Sequence, residues 1–149
     1  MKPIQDAVDI LLVEDVPADA ELIIHILKKY NPVTRLLWVK DGAEALDFLF
    51  ASGAYAERDC ANEPKLVLLD LRLPCVSGIE VLRRLKRDDR TRDIPVAVLT
   101  ASKKAADAKE CYQLGVNSYI AKPLLFNDVV RVMSELGLSW LMRNKVLSE

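Results

Sequence analysis

The acidic pair Glu14-Asp15, then Asp70, Thr100 and Lys122, each follow directly on a short apolar run. Three carboxylates gathered at one place repel one another strongly unless a cation neutralises them, and hard oxygen ligands select Mg²⁺ over softer metals. Mg²⁺ keeps several waters and takes few protein oxygens, which leaves room for a phosphoryl group. A carboxylate beside it can then attack phosphorus as a nucleophile. The Thr100 hydroxyl and the Lys122 ammonium are suited to replace water around phosphoryl oxygens as charge develops in a loose transition state. These residue types point to phosphoryl chemistry at a carboxylate, provided the fold brings the runs together.

The elements that must do so are legible as alternating patterns. Ile10–Val13, Leu36–Val39, Leu66–Leu69, Val96–Leu99 and Tyr119–Ala121 read as strands. The first and third are continuously apolar, as expected when helices cover both faces of a parallel sheet. Between them, Pro17 suits a first helical turn, and Leu22, Ile23, Ile26 and Leu27 are expected on one face. A second helix is expected from about Ala43, with Leu46, Leu49 and Phe50 inward, ending near Gly53. Ser77-Gly78-Ile79-Glu80 has capping-box spacing, with Val81, Leu82 and Leu85 at core positions. Ser102 is expected to cap a fourth helix closing at Gly115, and Asn127 or Asp128 to open a fifth.

Such alternation implies an α/β doubly wound domain, because parallel strands need crossovers and these are almost always right-handed helices. Ligands of such sheets bind beyond the carboxyl ends of the strands, where Glu14, Asp15, Asp70, Thr100 and Lys122 all stand. No repeat or low-complexity tract is present. Ser52–Pro64 reads as a polar insertion, and Leu138–Glu149 as an extension beyond a core of about residues 8–137 in one domain spanning 1–149.

Composition narrows the classes. With 149 residues, 51% hydrophobic and 29% charged, the chain supports one core and is not intrinsically disordered. A net charge of −1 gives no field for nucleic acid or anionic lipid, and no apolar run approaches a membrane span, so neither partner is expected and a cytoplasmic location is. Cys60, Cys75 and Cys111 lack metal or redox spacing and read as reduced thiols. The single His25, in a helical pattern, reads as a surface or packing residue rather than a catalytic base. No glycine-rich phosphate loop occurs. The basic run Arg83, Arg84, Lys86, Arg87, Arg90 and Arg92 is interleaved with Asp88, Asp89 and Asp93 and reads as a solvated face.

The combination of Glu14-Asp15, Asp70 with Leu73-Pro74 and Gly78, Thr100-Ala101, and Lys122-Pro123 resembles the receiver domain of two-component response regulators. The likeness runs from Ile10 to about Glu135. The separations also match, 30 residues from Asp70 to Thr100 and 22 from Thr100 to Lys122. The resemblance implies a flavodoxin-like strand order 2-1-3-4-5 with helices on both faces. It implies Asp70 as acceptor of a phosphoryl group from a sensor histidine kinase, and Mg²⁺ held by Asp15, Asp70, the backbone carbonyl of Arg72 and, directly or through water, Glu14. It further implies Thr100 and Lys122 on the phosphoryl oxygens, a cis Lys122-Pro123 bond, and Thr100 with Tyr119 as a switch pair. Such a protein assists its own phosphorylation and is not an enzyme with a separate substrate.

Gly53-Ala54-Tyr55, the run 68–74, Ile94-Pro95-Val96, Gly115–Tyr119 and Ser139-Trp140-Leu141 are similar to the single-domain regulators associated with bacterial phytochromes. That likeness implies a phytochrome kinase as donor and a homodimer. Trp140, Leu141, Met142, Val146 and Leu147 are the apolar residues expected to meet a partner. Two other functions compete with this one. A phosphohydrolase of the D-x-D type is disfavoured because position 72 is arginine, and a degenerate receiver acting as a scaffold because all five site residues are present. Cys75, just after Pro74, reads as a neutral filler beside a possible oxidation-sensitive role.

Overall fold

A computed structural model describes residues 8–137. β1 (Ile10–Val13), β2 (Leu36–Val39), β3 (Leu66–Asp70), β4 (Val96–Thr100) and β5 (Ser118–Ala121) form one parallel sheet in the order β2-β1-β3-β4-β5. The crossovers are α1 (Pro17–Tyr30), α2 (Gly42–Leu49), α3 (Gly78–Arg87) and α4 (Ala105–Gln113), and α5 (Phe126–Glu135) follows β5.

Alternate strand residues feed two cores, because side chains along a strand point to opposite faces. Leu11, Val13, Val67, Leu69, Val96 and Val98 pack with Leu46, Val81, Leu82, Leu85 and Cys111, so α2, α3 and α4 cover one face. Ile10, Leu12, Leu66, Leu68, Leu99 and Ile120 pack with Ile23, Leu27, Val129, Val132 and Met133 of α1 and α5 on the other. This two-sided burial is why β1, β3 and β4 are apolar along nearly their whole length.

Several expectations need correction. Leu22 is 46% exposed: the buried stripe of α1 runs through Ala20, Ile23, Ile26, Leu27 and Tyr30, a turn that leaves Leu22 outside. Phe50 is half-buried and lies one residue past α2, and the helix begins at Gly42 with Asp41 accepting the Glu44 N–H at 2.7 Å. Ser102 does not cap α4; Lys104 holds that position without a side-chain bond. α5 opens at Phe126, and Asp128 serves it from inside by accepting the Leu125 N–H at 2.9 Å.

The insertion is not simply polar. A short 3₁₀ turn, Gly53–Tyr55, sets Tyr55 edge-on to Phe48 with ring centroids 5.3 Å apart. The Arg58 guanidinium covers the other side of Phe48 at 4.1 Å and donates to its carbonyl at 2.7 Å. Nor is the basic run wholly solvated. Arg83, Arg84, Arg90 and Arg92 do pair with acids, but Lys86 folds back to donate to the carbonyls of Arg92 (3.2 Å) and Ile94 (3.0 Å). The apolar residues of 138–149, including Trp140, lie outside the described residues.

Candidate functional site

At the end of β1 the ladder continues one residue, the Glu14 N–H donating to the Val39 carbonyl at 3.1 Å. The Trp38 indole N–H locks the other side of this residue, donating to the Glu14 carbonyl at 2.8 Å. The Glu14 side chain is therefore driven inward and is fully buried, its Oε2 accepting the Val16 N–H at 3.2 Å. Asp15 follows and is partly exposed. Asp70 is the last residue of β3 and buried, its Oδ1 accepting the Arg72 N–H at 3.1 Å. One carboxylate oxygen from each of Glu14, Asp15 and Asp70 lies within 4.8 Å of the others, a spacing that can hold a metal ion.

Lys122, one residue beyond β5, completes the cluster. Its bond to Pro123 is cis. The ammonium Nζ stands 2.7 Å from Glu14 Oε1, 3.0 Å from Asp19 Oδ2 and 3.2 Å from Asp70 Oδ2. Burial alone would lower the Lys122 pKa, but Glu14 and Asp19 beside it and the charge of Asp70 outweigh it and hold the ammonium above its ordinary range. Burial pushes the Glu14 carboxyl up, reinforced by Asp70 and opposed by Lys122.

The donor set fits a hard divalent cation. Glu14 Oε1 is buried, and its approach from Lys122 lacks the alignment of a hydrogen bond, so an oxygen ligand with an unsatisfied lone pair faces the cluster. Three all-oxygen side chains and one lysine leave an excess of negative charge, which a dication would cancel.

Thr100, the last residue of β4, is fully buried, and its hydroxyl oxygen accepts the Ser102 N–H at 3.0 Å. Ser102 in turn bonds Asp107 in the first turn of α4. Tyr119 on β5 is half-buried, with its hydroxyl buried and without an aligned partner and its ring 6.3 Å from that of Tyr112. Burial raises its phenol above the ordinary range. Thr100 and Tyr119 thus sit on neighbouring strands, Thr100 paired in register with Ala121.

The loop between β3 and α3 is shaped by two close approaches. A Cβ on Gly78 would meet the Asp70 carbonyl oxygen at 2.2 Å, and one on Gly42 the Val76 carbonyl oxygen at 2.1 Å. Both need bare backbone, which presses the start of α3 onto Asp70. Cys75, on this loop, is exposed and adopts a left-handed φ of 67°.

The structure thus gathers Glu14, Asp15, Asp70 and Lys122 at one strand-end pocket. It adds Asp19, which the sequence reading passed over: an acid in the first helical turn normally reads as a partner of the helix dipole. A cleft of about 260 Å³ opens beside it, lined by Asp19, Leu22, Ile23, Ala101, Lys122, Pro123 and Leu124.

Residues 10–134 match the response regulator receiver domain. The chain belongs to this family. This receiver is 43% identical over 141 residues to the probable methanogenesis regulatory protein FilR2 of Methanothrix harundinacea, covering 95% of this chain and 88% of the relative. It is 37% identical over 132 residues to the response regulator Rcp1 of Synechocystis sp., covering 89% and 88%. Among solved structures, the bacteriophytochrome response regulator AtBRR superposes with a TM-score of 0.79 at 42% identity, covering 89% of this chain and 94% of that one. The Mn²⁺-bound form of Rcp1 gives 0.73 at 37%, covering 89% and 93%. The phosphorylated cyanobacterial phytochrome response regulator RcpA gives 0.75 at 36%, covering 91% and 94%. The receiver's relatives and structural neighbours therefore include phytochrome-associated response regulators. Among the described residues no helix is long and apolar enough to cross a membrane.

Proposed function

We propose that this receiver is a phosphorylatable switch in which Asp70 takes a phosphoryl group from the phosphohistidine of a sensor kinase, with Mg²⁺ as cofactor. The observation that carries the reading is the convergence of Glu14, Asp15, Asp70 and Lys122 on one pocket, from residues far apart in sequence. Asp70 attacks phosphorus as the P–N bond to histidine breaks, and the imidazole leaves with a proton. Asp15, Asp70, the Arg72 carbonyl and Glu14 are the groups that hold the cation, which when bound neutralises charge on the phosphoryl oxygens. Lys122 pairs with a phosphoryl oxygen, and the Thr100 hydroxyl turns from Ser102 toward another. Tyr119 follows into the space Thr100 vacates, and Pro123 fixes the direction of the Lys122 side chain. The added charge repacks the face of α4, β5 and α5. On this reading the chain assists its own modification and has no separate substrate.

A phytochrome kinase is the proposed donor, supported by the likeness to Rcp1, RcpA and AtBRR. FilR2 carries a different regulatory name, so the decisive panel of donors includes kinases without a light-sensing module. A cytoplasmic location and a homodimer acting as a single-domain regulator complete the proposal. The test is phosphate incorporation from phosphoramidate with Mg²⁺, read by intact mass. Asp70→Asn is expected to abolish it, and undiminished labelling would remove Asp70 from its assigned role.

A further inference from the structure

Lys122 is held by three carboxylates, and only two of them belong to the proposed cation ligands. Glu14 and Asp70, whose Oε1 and Oδ2 lie 2.7 and 3.2 Å from the ammonium, are carboxylates that a dication in the cluster would also draw on. The third, Asp19 Oδ2 at 3.0 Å, lies on α1 and outside the cluster that can hold a metal. Asp19 is also unusually free for this task. An acid at the third helical position commonly reaches back to the N-cap amide, yet the Val16 N–H is already taken by Glu14 Oε2 at 3.2 Å. The Asp19 carboxylate therefore turns to Lys122 instead, with its side chain 43% exposed at the mouth of the neighbouring cleft.

The geometry points to Asp19 as the positioning residue that receives Lys122 when a divalent cation takes Glu14 and Asp70. A cation entering the cluster meets an ammonium already paired with two of its three carboxylates and is repelled by it. Asp19 keeps the ammonium partnered at the rim, so that it is displaced without being stranded, and holds it ready for the phosphoryl oxygens. Asp19 acts through Lys122 and does not touch the cation. The inference rests on the reading of Glu14, Asp15 and Asp70 as cation ligands.

The test reads metal binding without any phosphoryl donor. Trp38 donates to the Glu14 carbonyl, and the chain has 2 tryptophans, so a Trp140→Phe background leaves the indole beside the site as the single tryptophan. In that background Asp19→Asn is expected to raise the Mg²⁺ concentration for half-saturation by about fivefold, as loss of a close charge partner implies. Asp19→Glu should bring it back to within about twofold. Repeating the pair in a Lys122→Met background isolates the coupling, and there Asp19→Asn is expected to shift half-saturation by less than about 1.5-fold. A loss that persists without Lys122 overturns the inference, since the acid would then act on the cation directly, and so does no loss in either background. If the chain carrying Asp19 and Lys122 shows no saturable Mg²⁺ response, the cation reading of the site falls together with the inference. If it saturates while Asp70 takes no phosphate, the phosphoacceptor reading alone fails.

Discussion

At the residue scale the pocket is built against its own stability. Glu14, Asp15 and Asp70 are pressed together, and Lys122 answers only part of their charge while being shared with Asp19. Replacing the most exposed of the three, Asp15→Asn, is therefore expected to stabilise the metal-free chain by about 1 kcal/mol through relief of repulsion. The same change should remove most of the stabilisation that added Mg²⁺ gives the unsubstituted chain. Thermal unfolding of both chains with and without MgCl₂ checks the pair of effects, and a destabilised metal-free variant would contradict the account. The acidic pair, Asp70 and Lys122 were legible in the sequence because each terminates an apolar run at a separation the family shares. Asp19 was not, because its role depends on Glu14 having claimed the Val16 amide, a long-range consequence of how β1 ends.

At the scale of elements, the strands were readable to within a residue, since apolar runs buried on both faces leave little freedom. Two of the three differences fall where chemistry begins, Asp70 and Thr100 being the last residues of β3 and β4 rather than the first beyond them, and the third is the start of β5 at Ser118. Helix starts were less legible. A serine or acid near a boundary is an equally good cap in several registers, and packing chose Lys104 over Ser102 and Leu125 over Asn127.

Gly78 starts α3 against the Asp70 carbonyl with no room to spare, and Gly78→Ala is expected to cost about 2 kcal/mol or more in urea unfolding, because the added Cβ would meet backbone that cannot yield. The insertion supplies a pH prediction. Burial, with the Glu44 carboxylate accepting from its hydroxyl at 2.9 Å, pushes the Tyr55 phenol up to about 12. The folded chain then keeps a proton that the unfolded chain releases near the ordinary value of 10.0, so this residue's contribution to stability falls as pH climbs from 10.0 toward 12. Denaturant midpoints measured across that window should decline less steeply for Tyr55→Phe, and equal slopes would show that the phenol does not carry the effect.

At the scale of the whole molecule, the sheet divides the interior into two cores that meet only through the strands. One face, with α2, α3 and α4, carries the insertion; the other, with α1 and α5, borders the cleft beside Lys122. The proposed homodimer rests on Trp140, Leu141, Met142, Val146 and Leu147, beyond the described residues. Removing 138–149 is expected to halve the mass seen by sedimentation, and an unchanged mass would place the contacts elsewhere.

The pocket draws on Glu14 near one end of the chain and Lys122 near the other, 108 residues apart, with Asp70 between them. During synthesis the acids emerge long before the lysine that holds them, and β5 cannot join the sheet until it has left the ribosome. If Asp70 is the acceptor proposed above, a nascent chain would have none of its pocket to offer a kinase until the last strand docks.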